Sequence, residues 1–199
     1  MVCLVLAMTG CHLGAAEEQP VVEIFLPNLL DRHVSRALGR ARGIVDEAYA
    51  DIGVRVIWRV GKTPPLACEK QPGRRQIVFD FLDGVVKGPT SEALAFANPY
   101  QQRGPCVTLL MDRLKNEVER NPETTGLLLG HVLAHEIAHV LQGIARHSET
   151  GILKARWSKQ EIEGMWRARL HFTAYDAELI CEPLRASFSS SPGERSDAR

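Results

Sequence analysis

HEIAHVLQGIARHSETGILKARW, residues 135–157, carries three histidines, a glutamate and a glycine in its first thirteen positions. Leu127, Leu128, Val132, Leu133, Ile137, Val140 and Leu141 recur through and ahead of it at three- and four-residue steps, which predicts a helix buried in the core. On that helix His135 and His139 stand one turn apart on a single face, so both imidazoles can reach one ion at about 2.0–2.1 Å. Glu136 lies beside the first ligand, offset toward the place of an attacking water, which suits a general base and not a ligand. Gly143 supplies the left-handed residue that ends the helix, and the residues after it can fold back to bring in His147 as a third ligand. His131, one further turn back, would stand roughly 6 Å too far from the ion and reads as a packed histidine. His171 belongs to no such pattern and reads as a surface or half-buried residue.

Working outward, Asn121-Pro122-Glu123 has the chemistry of a helix start: a capping Asn, a Pro for the first turn, and an acid at the positive end of the dipole. Upstream, the runs 21–26, 54–60, 76–82 and 106–111 have the length and apolar content of strands, the last at or near a sheet edge. Between the first two, Val34, Leu38, Ile44, Val45, Ala48 and Tyr49 mark an amphipathic helix over 31–51 despite Gly39 and Gly43. Residues 61–75 and 83–105 read as loops. Downstream, Ser158 with Glu161 forms a capping-box signature for a helix running to about Leu170, and Thr173 with Asp176 repeats it. Met165, Trp166, Leu170, Leu179 and Ile180 are the expected core of these carboxy-terminal helices.

The chain has 199 residues, enough for one domain with a sizeable core, expected over 17–187. Its 24 basic and 24 acidic side chains cancel, so no global field recruits nucleic acid or an anionic membrane, and a small or proteinaceous partner is expected instead. Residues 1–16 read as an export signal: an apolar run from Val2 to Met8, too short to span a bilayer, followed by small residues. Two processing routes are open, cleavage after Ala16 or lipid attachment at Cys11 in a lipobox-like Met8-Thr9-Gly10-Cys11; both place the protein outside the cytoplasm. Residues 188–199 read as a disordered tail. Of the remaining cysteines, Cys68 and Cys106 are the candidate disulfide, both lying in turn-rich segments beside strands; unpaired thiols at Cys68, Cys106 and Cys181 are the alternative.

These residues resemble the metzincin metallopeptidases, whose pattern is HExxHxxGxxH followed by a Met-containing turn beneath the metal. The matrixin-like members are nearest in pattern, because their third His is followed by Ser, as His147 is by Ser148. The stretch is also similar to a group of exported bacterial proteins with the pattern HEIGHxLxGxxxHSxxGIMxxxW, here matched by Gly143, Gly151-Ile152-Leu153 and Trp157. Two departures stand out. The second and third histidines are eight residues apart where metzincins have six, and Leu153 occupies the Met position, a swap of similar volume. The resemblance implies an α+β fold: a twisted mixed sheet of about four strands, a long active-site helix, a zinc-ligand loop with a Met-turn-like segment, and carboxy-terminal helices. It implies a zinc-dependent endopeptidase, with Zn2+ held by His135, His139 and His147, Glu136 as general base, and a substrate strand added along the 95–111 region. A rival arrangement, the gluzincin scheme, would take its third ligand from Glu161, Glu163 or Glu178. A rival function is an exported zinc-binding module without peptidase activity.

Overall fold

The computed structural model describes residues 19–28, 31–65, 68, 70–71, 74–84, 93–100 and 104–186. The export signal, Cys11 and the tail expected from the sequence lie outside these residues. Along the chain run β1 (Val21–Leu26), α1 (Arg32–Ala50), β2 (Arg55–Val60), β3 (Lys70–Gln71), β4 (Arg74–Leu82), β5 (Ala95–Ala97), β6 (Val107–Leu110), α2 (Met111–Arg120), α3 (Thr125–Gln142), α4 (Lys159–Gly164) and α5 (Ala174–Ala186).

The sheet has the order β2-β1-β4-β6-β5, with β3 paired to β4 off this path. β1, β2, β4 and β6 are mutually parallel, whereas β5 runs antiparallel to β6 and β3 to β4. Parallel neighbours need a crossover, and α1 supplies it between β1 and β2. The four expected strands are all present. β3 and β5 are additions in segments read as loops, because two or three residues are too few to display a period of two. β6 therefore lies one strand in from the edge, and β5 forms that edge. Cys68 and Cys106 form a disulfide, Cα to Cα 6.2 Å, which ties the loop ahead of β3 to the start of β6.

α1 starts where Asp31 accepts hydrogen bonds from the N–H groups of His33 and Val34. It buries Val34, Ala37, Leu38, Ala41, Val45, Ala48 and Tyr49, while Gly39 and Gly43 stay outside the core. α3 packs along it at close range. A Cβ on Gly126 would stand 2.9 Å from Arg40 Cβ and 3.1 Å from the Ala37 carbonyl oxygen; one on Gly130 would stand 2.6 Å from Ile44 Cβ and 3.0 Å from the Ala41 carbonyl oxygen. The two glycines, four apart on one face, thus let the helices approach almost backbone to backbone. Tyr49, fully buried, adds a hydrogen bond of 3.0 Å to the Ala134 carbonyl, one residue before His135.

Three boundaries differ from the sequence reading. α2 was not anticipated: its buried Met111, Leu114 and Val118 are only three apolar positions among charges. Because α2 runs to Arg120, Asn121 closes that helix instead of opening the next. Its carbonyl accepts from the N–H groups of Thr124 and Thr125 and from the Thr125 hydroxyl, so α3 begins at Thr125. α4 has the expected Ser158–Glu161 capping box but ends at Gly164, short of Leu170. The backbone beyond it serves other elements: Leu170 N–H donates to His131 and the His171 carbonyl accepts from Ile152 N–H. Met165 and Ile180 are buried as expected and Leu170 and Leu179 partly so, but Trp166 is exposed, its ring under the Arg40 guanidinium at 5.2 Å.

Candidate metal centre

α3 is buried on nearly every face, and His135 and His139 belong to its last two turns. Gly143, at φ 68°, ends the helix in the left-handed region, with its N–H on the His139 carbonyl. The chain then turns back through residues 144–148. His135, His139 and His147 converge, their ligating nitrogens all within 4.8 Å of one another. The two residues added between the second and third histidines are taken up in this loop without carrying His147 away.

Each helical imidazole has a fixed tautomer. His135 Nδ1 lies 2.8 Å from the Ile152 carbonyl oxygen and His139 Nδ1 lies 3.1 Å from that of Ile144. A carbonyl can only accept, so both Nδ1 atoms carry the proton and both Nε2 atoms present lone pairs. Those Nε2 atoms are 3.0 Å apart. Two lone pairs at that separation cannot hydrogen-bond to one another, whereas a tetrahedral ion bound at about 2.0–2.1 Å sets its ligand nitrogens roughly 3.3 Å apart. Burial holds the His135 imidazole down to about pKa 4 and lowers that of His139 as well, so both are neutral at pH 7, the form that ligates. The donor set fits zinc.

The turn 151–154 meets this cluster at the Ile152 carbonyl, which His135 Nδ1 contacts. Leu153, at the Met position, is fully buried, and its carbonyl accepts from Ser148 N–H at 2.8 Å. Gly151 makes the turn at φ 76°; a Cβ there would stand 2.3 Å from the His171 carbonyl oxygen. Gly151→Ala is therefore expected to cost about 1–3 kcal/mol or more, and to lower the melting temperature by at least about 2 °C. A variant melting within about 1 °C of wild type would contradict this account of the turn. The Gly151 carbonyl also accepts from Trp157 Nε1 at 3.1 Å, and the Trp157 ring meets those of His131 and His135 edge to face at 6.2 and 6.0 Å.

Glu136 faces β5. Its Oε2 accepts the Ala97 N–H at 2.7 Å, and burial pushes its carboxyl up to about pKa 7 against the lowering effect of that bond. A dication alongside would favour the ionised form. β5 bonds β6 through the Leu94 carbonyl and the Asn98 N–H, so alternation turns the backbone groups of Ala95 and Ala97 away from β6, the side from which Ala97 reaches Glu136.

His131 is fully buried and is not part of the cluster. Its Nδ1–H donates to the Leu127 carbonyl at 2.8 Å and its Nε2 accepts from Leu170 N–H at 3.0 Å. His171 is exposed and pairs with Asp51. Of the rival third ligands, Glu161 is held by Lys154 and by Ser158 N–H, Glu163 pairs with Lys159 at the surface, and Glu178 is exposed. Among the described residues, the donor group close enough to share an ion contains no glutamate.

Several contributors escaped the sequence reading. The Ile144 and Ile152 carbonyls and the Ala97 N–H are backbone groups, for which side-chain identity gives no signal. Tyr100, after β5, accepts from Ala145 N–H at 3.2 Å and so bridges to the loop that carries His147. Arg146 and Ser148, which flank His147, both bond the buried carboxylate of Asp176; burial alone would raise the Asp176 pKa, but bonds from Ser148, Thr173 and Arg146 outweigh it and lower it. Asp176 was legible only as a helix cap.

No family model matches the chain, and no curated protein sequence matches it. Among solved structures it is similar to archaemetzincin from Methanopyrus kandleri, with a TM-score of 0.50 and 17% identity, over 84% of this chain and 96% of that one. The chain therefore has the fold of archaemetzincin, the mixed α+β architecture that residues 135–157 led us to expect.

Proposed function

We propose that the protein is a zinc-dependent endopeptidase in which His135, His139 and His147 hold the ion and Glu136 moves the proton. The observation that carries this reading is the facing pair of Nε2 lone pairs, 3.0 Å apart on tautomers locked by backbone carbonyls, with His147 beside them. Bound zinc supplies a Lewis acid for a peptide carbonyl and lowers the pKa of water toward 7. The Glu136 carboxylate accepts the proton of the attacking water and returns it to the departing amine. Its bond to Ala97 N–H keeps the acceptor between the histidines' helix and the sheet edge. An extended peptide adds to the outer side of β5, alongside Ala95 and Ala97, which brings its scissile bond to Glu136.

The test joins metal content to cleavage. Purified protein is expected to carry about one zinc per chain, to hydrolyse a mixed peptide library, and to stop when a chelator removes the metal. Zinc restored at about 1,000 times its Kd contributes about 4.1 kcal/mol of stability, a rise of roughly 8–16 °C in melting temperature for a domain of this size. Zinc bound without cleavage of any library would favour the non-catalytic binding module, and no metal-linked shift in melting would remove the centre altogether.

A further inference from the structure

The three histidines are not held alike. The His135 and His139 rings are each tied by Nδ1 to a carbonyl, on a helix buried against α1. The His147 ring is exposed and has no hydrogen-bond partner among the described residues, and it stands on a loop whose regular pairing is a single bridge, Ser148 with Lys154. Its neighbours are gripped instead. Asp176 Oδ1 accepts from Arg146 Nη1 at 2.8 Å and from Ser148 Oγ at 2.5 Å, and Arg146 Nη2 reaches Ser148 Oγ at 3.1 Å, closing a triangle around the ligand's backbone. The other oxygen, Oδ2, accepts from Thr173 N–H at 3.2 Å and Thr173 Oγ1 at 2.7 Å.

We propose that Asp176 is the positioning residue for the third metal ligand: its buried carboxylate grips the residues on both sides of His147 and sets where that imidazole stands. The proposal rests on the metal-centre reading above and extends it to an element 29 positions along the chain from His147, α5. Asp176 is fully buried, and a carboxylate so placed is stable only while its hydrogen bonds are made. Both of its oxygens face donors, on the loop side and on the α5 side. Asparagine cannot replace it, because its amide nitrogen would confront donors whichever way it is turned. The grip also explains how a connection two residues longer than in metzincins keeps its end in place: Arg146 and Ser148 hold that end against Asp176.

The full chain tests this through zinc Kd, measured by competition with a chromogenic chelator, and through the visible spectrum of the cobalt-substituted protein. Asp176→Asn is expected to weaken zinc about 10–100-fold, the range found when groups that orient ligands are removed, and to shift the cobalt bands. Combined with His147→Ala it is expected to add almost nothing, since the ligand it orients is gone. Unchanged zinc affinity with a lowered melting temperature would reduce Asp176 to a cap of α5, and an equal loss with and without His147 would make it a general support of the fold. If Asp176→Asn does not fold, Arg146→Gln and Ser148→Ala, which spare the α5 cap, carry the same comparison, and wild-type affinity in both overturns the proposal. A wild-type chain that binds no zinc overturns the metal-centre reading itself and this inference with it.

Discussion

Glu136→Ala is expected to lower peptide hydrolysis by roughly 10²–10⁴-fold, the range for loss of a general base, while zinc content stays at the wild-type level. The separation follows from geometry. Glu136 Oε2 bonds the Ala97 N–H and lies outside the three-histidine group, so its removal takes away no donor. The helix should tolerate the change, since Ala is the best helix former and α3 is seated by its close packing on α1. Glu136→Gln sharpens the test: it keeps the size and a carbonyl oxygen for Ala97 but cannot take up a proton at neutral pH. Full activity in either variant would remove Glu136 from the chemistry and with it the peptidase mechanism. Loss of zinc in both would show instead that the carboxylate supports the ion.

His147→Ala is expected to weaken zinc by more than about 100-fold, beyond the 10–100-fold typical of groups that only orient ligands, and to abolish cleavage. Two protein ligands remain in that variant where a catalytic zinc takes three. The fold should persist, because His147 is exposed and contributes no core surface; the melting temperature of the metal-free variant should match that of metal-free wild type. His147 stands eight residues after His139, so this variant tests whether the longer connection delivers a working ligand. Wild-type zinc affinity in His147→Ala would exclude the metzincin-like ligand set and leave a zinc site of another kind.

How much was legible in the sequence follows the physics of each element. α1 and α3 carry long periodic apolar patterns, and their existence could be read directly; the start of α3 could not, because Asn121 has equally good chemistry for ending one helix and starting another. β5 was read as loop, since Ala-Phe-Ala has no room for a pattern, yet it is the strand that meets Glu136. The helical histidine pair and its terminating glycine follow from spacing alone, as does the capping box of α4. The second layer of the centre does not: carbonyls of Ile144 and Ile152, the N–H of Ala97, and the Asp176 grip depend on which distant backbones come together. Trp166 shows the limit of residue-type reasoning, for a large aromatic side chain stayed at the surface under an arginine.

The glycines at 126 and 130 have a consequence for how error would be distributed in this centre. Two of the three nitrogens ride on one rigid rod, so their mutual spacing is a property of helical pitch and survives any change in how the rod is seated. The seating is decided on the far side, at Ala37, Ala41 and Ile44 of α1, where there is no slack for even a methyl group. Any displacement of the rod therefore moves His135 and His139 together and leaves His147 behind, so the whole mismatch appears at one corner of the three-histidine group. Tolerance to mutation should be steeply uneven: generous along the outer surface of α1, and least where two backbones touch.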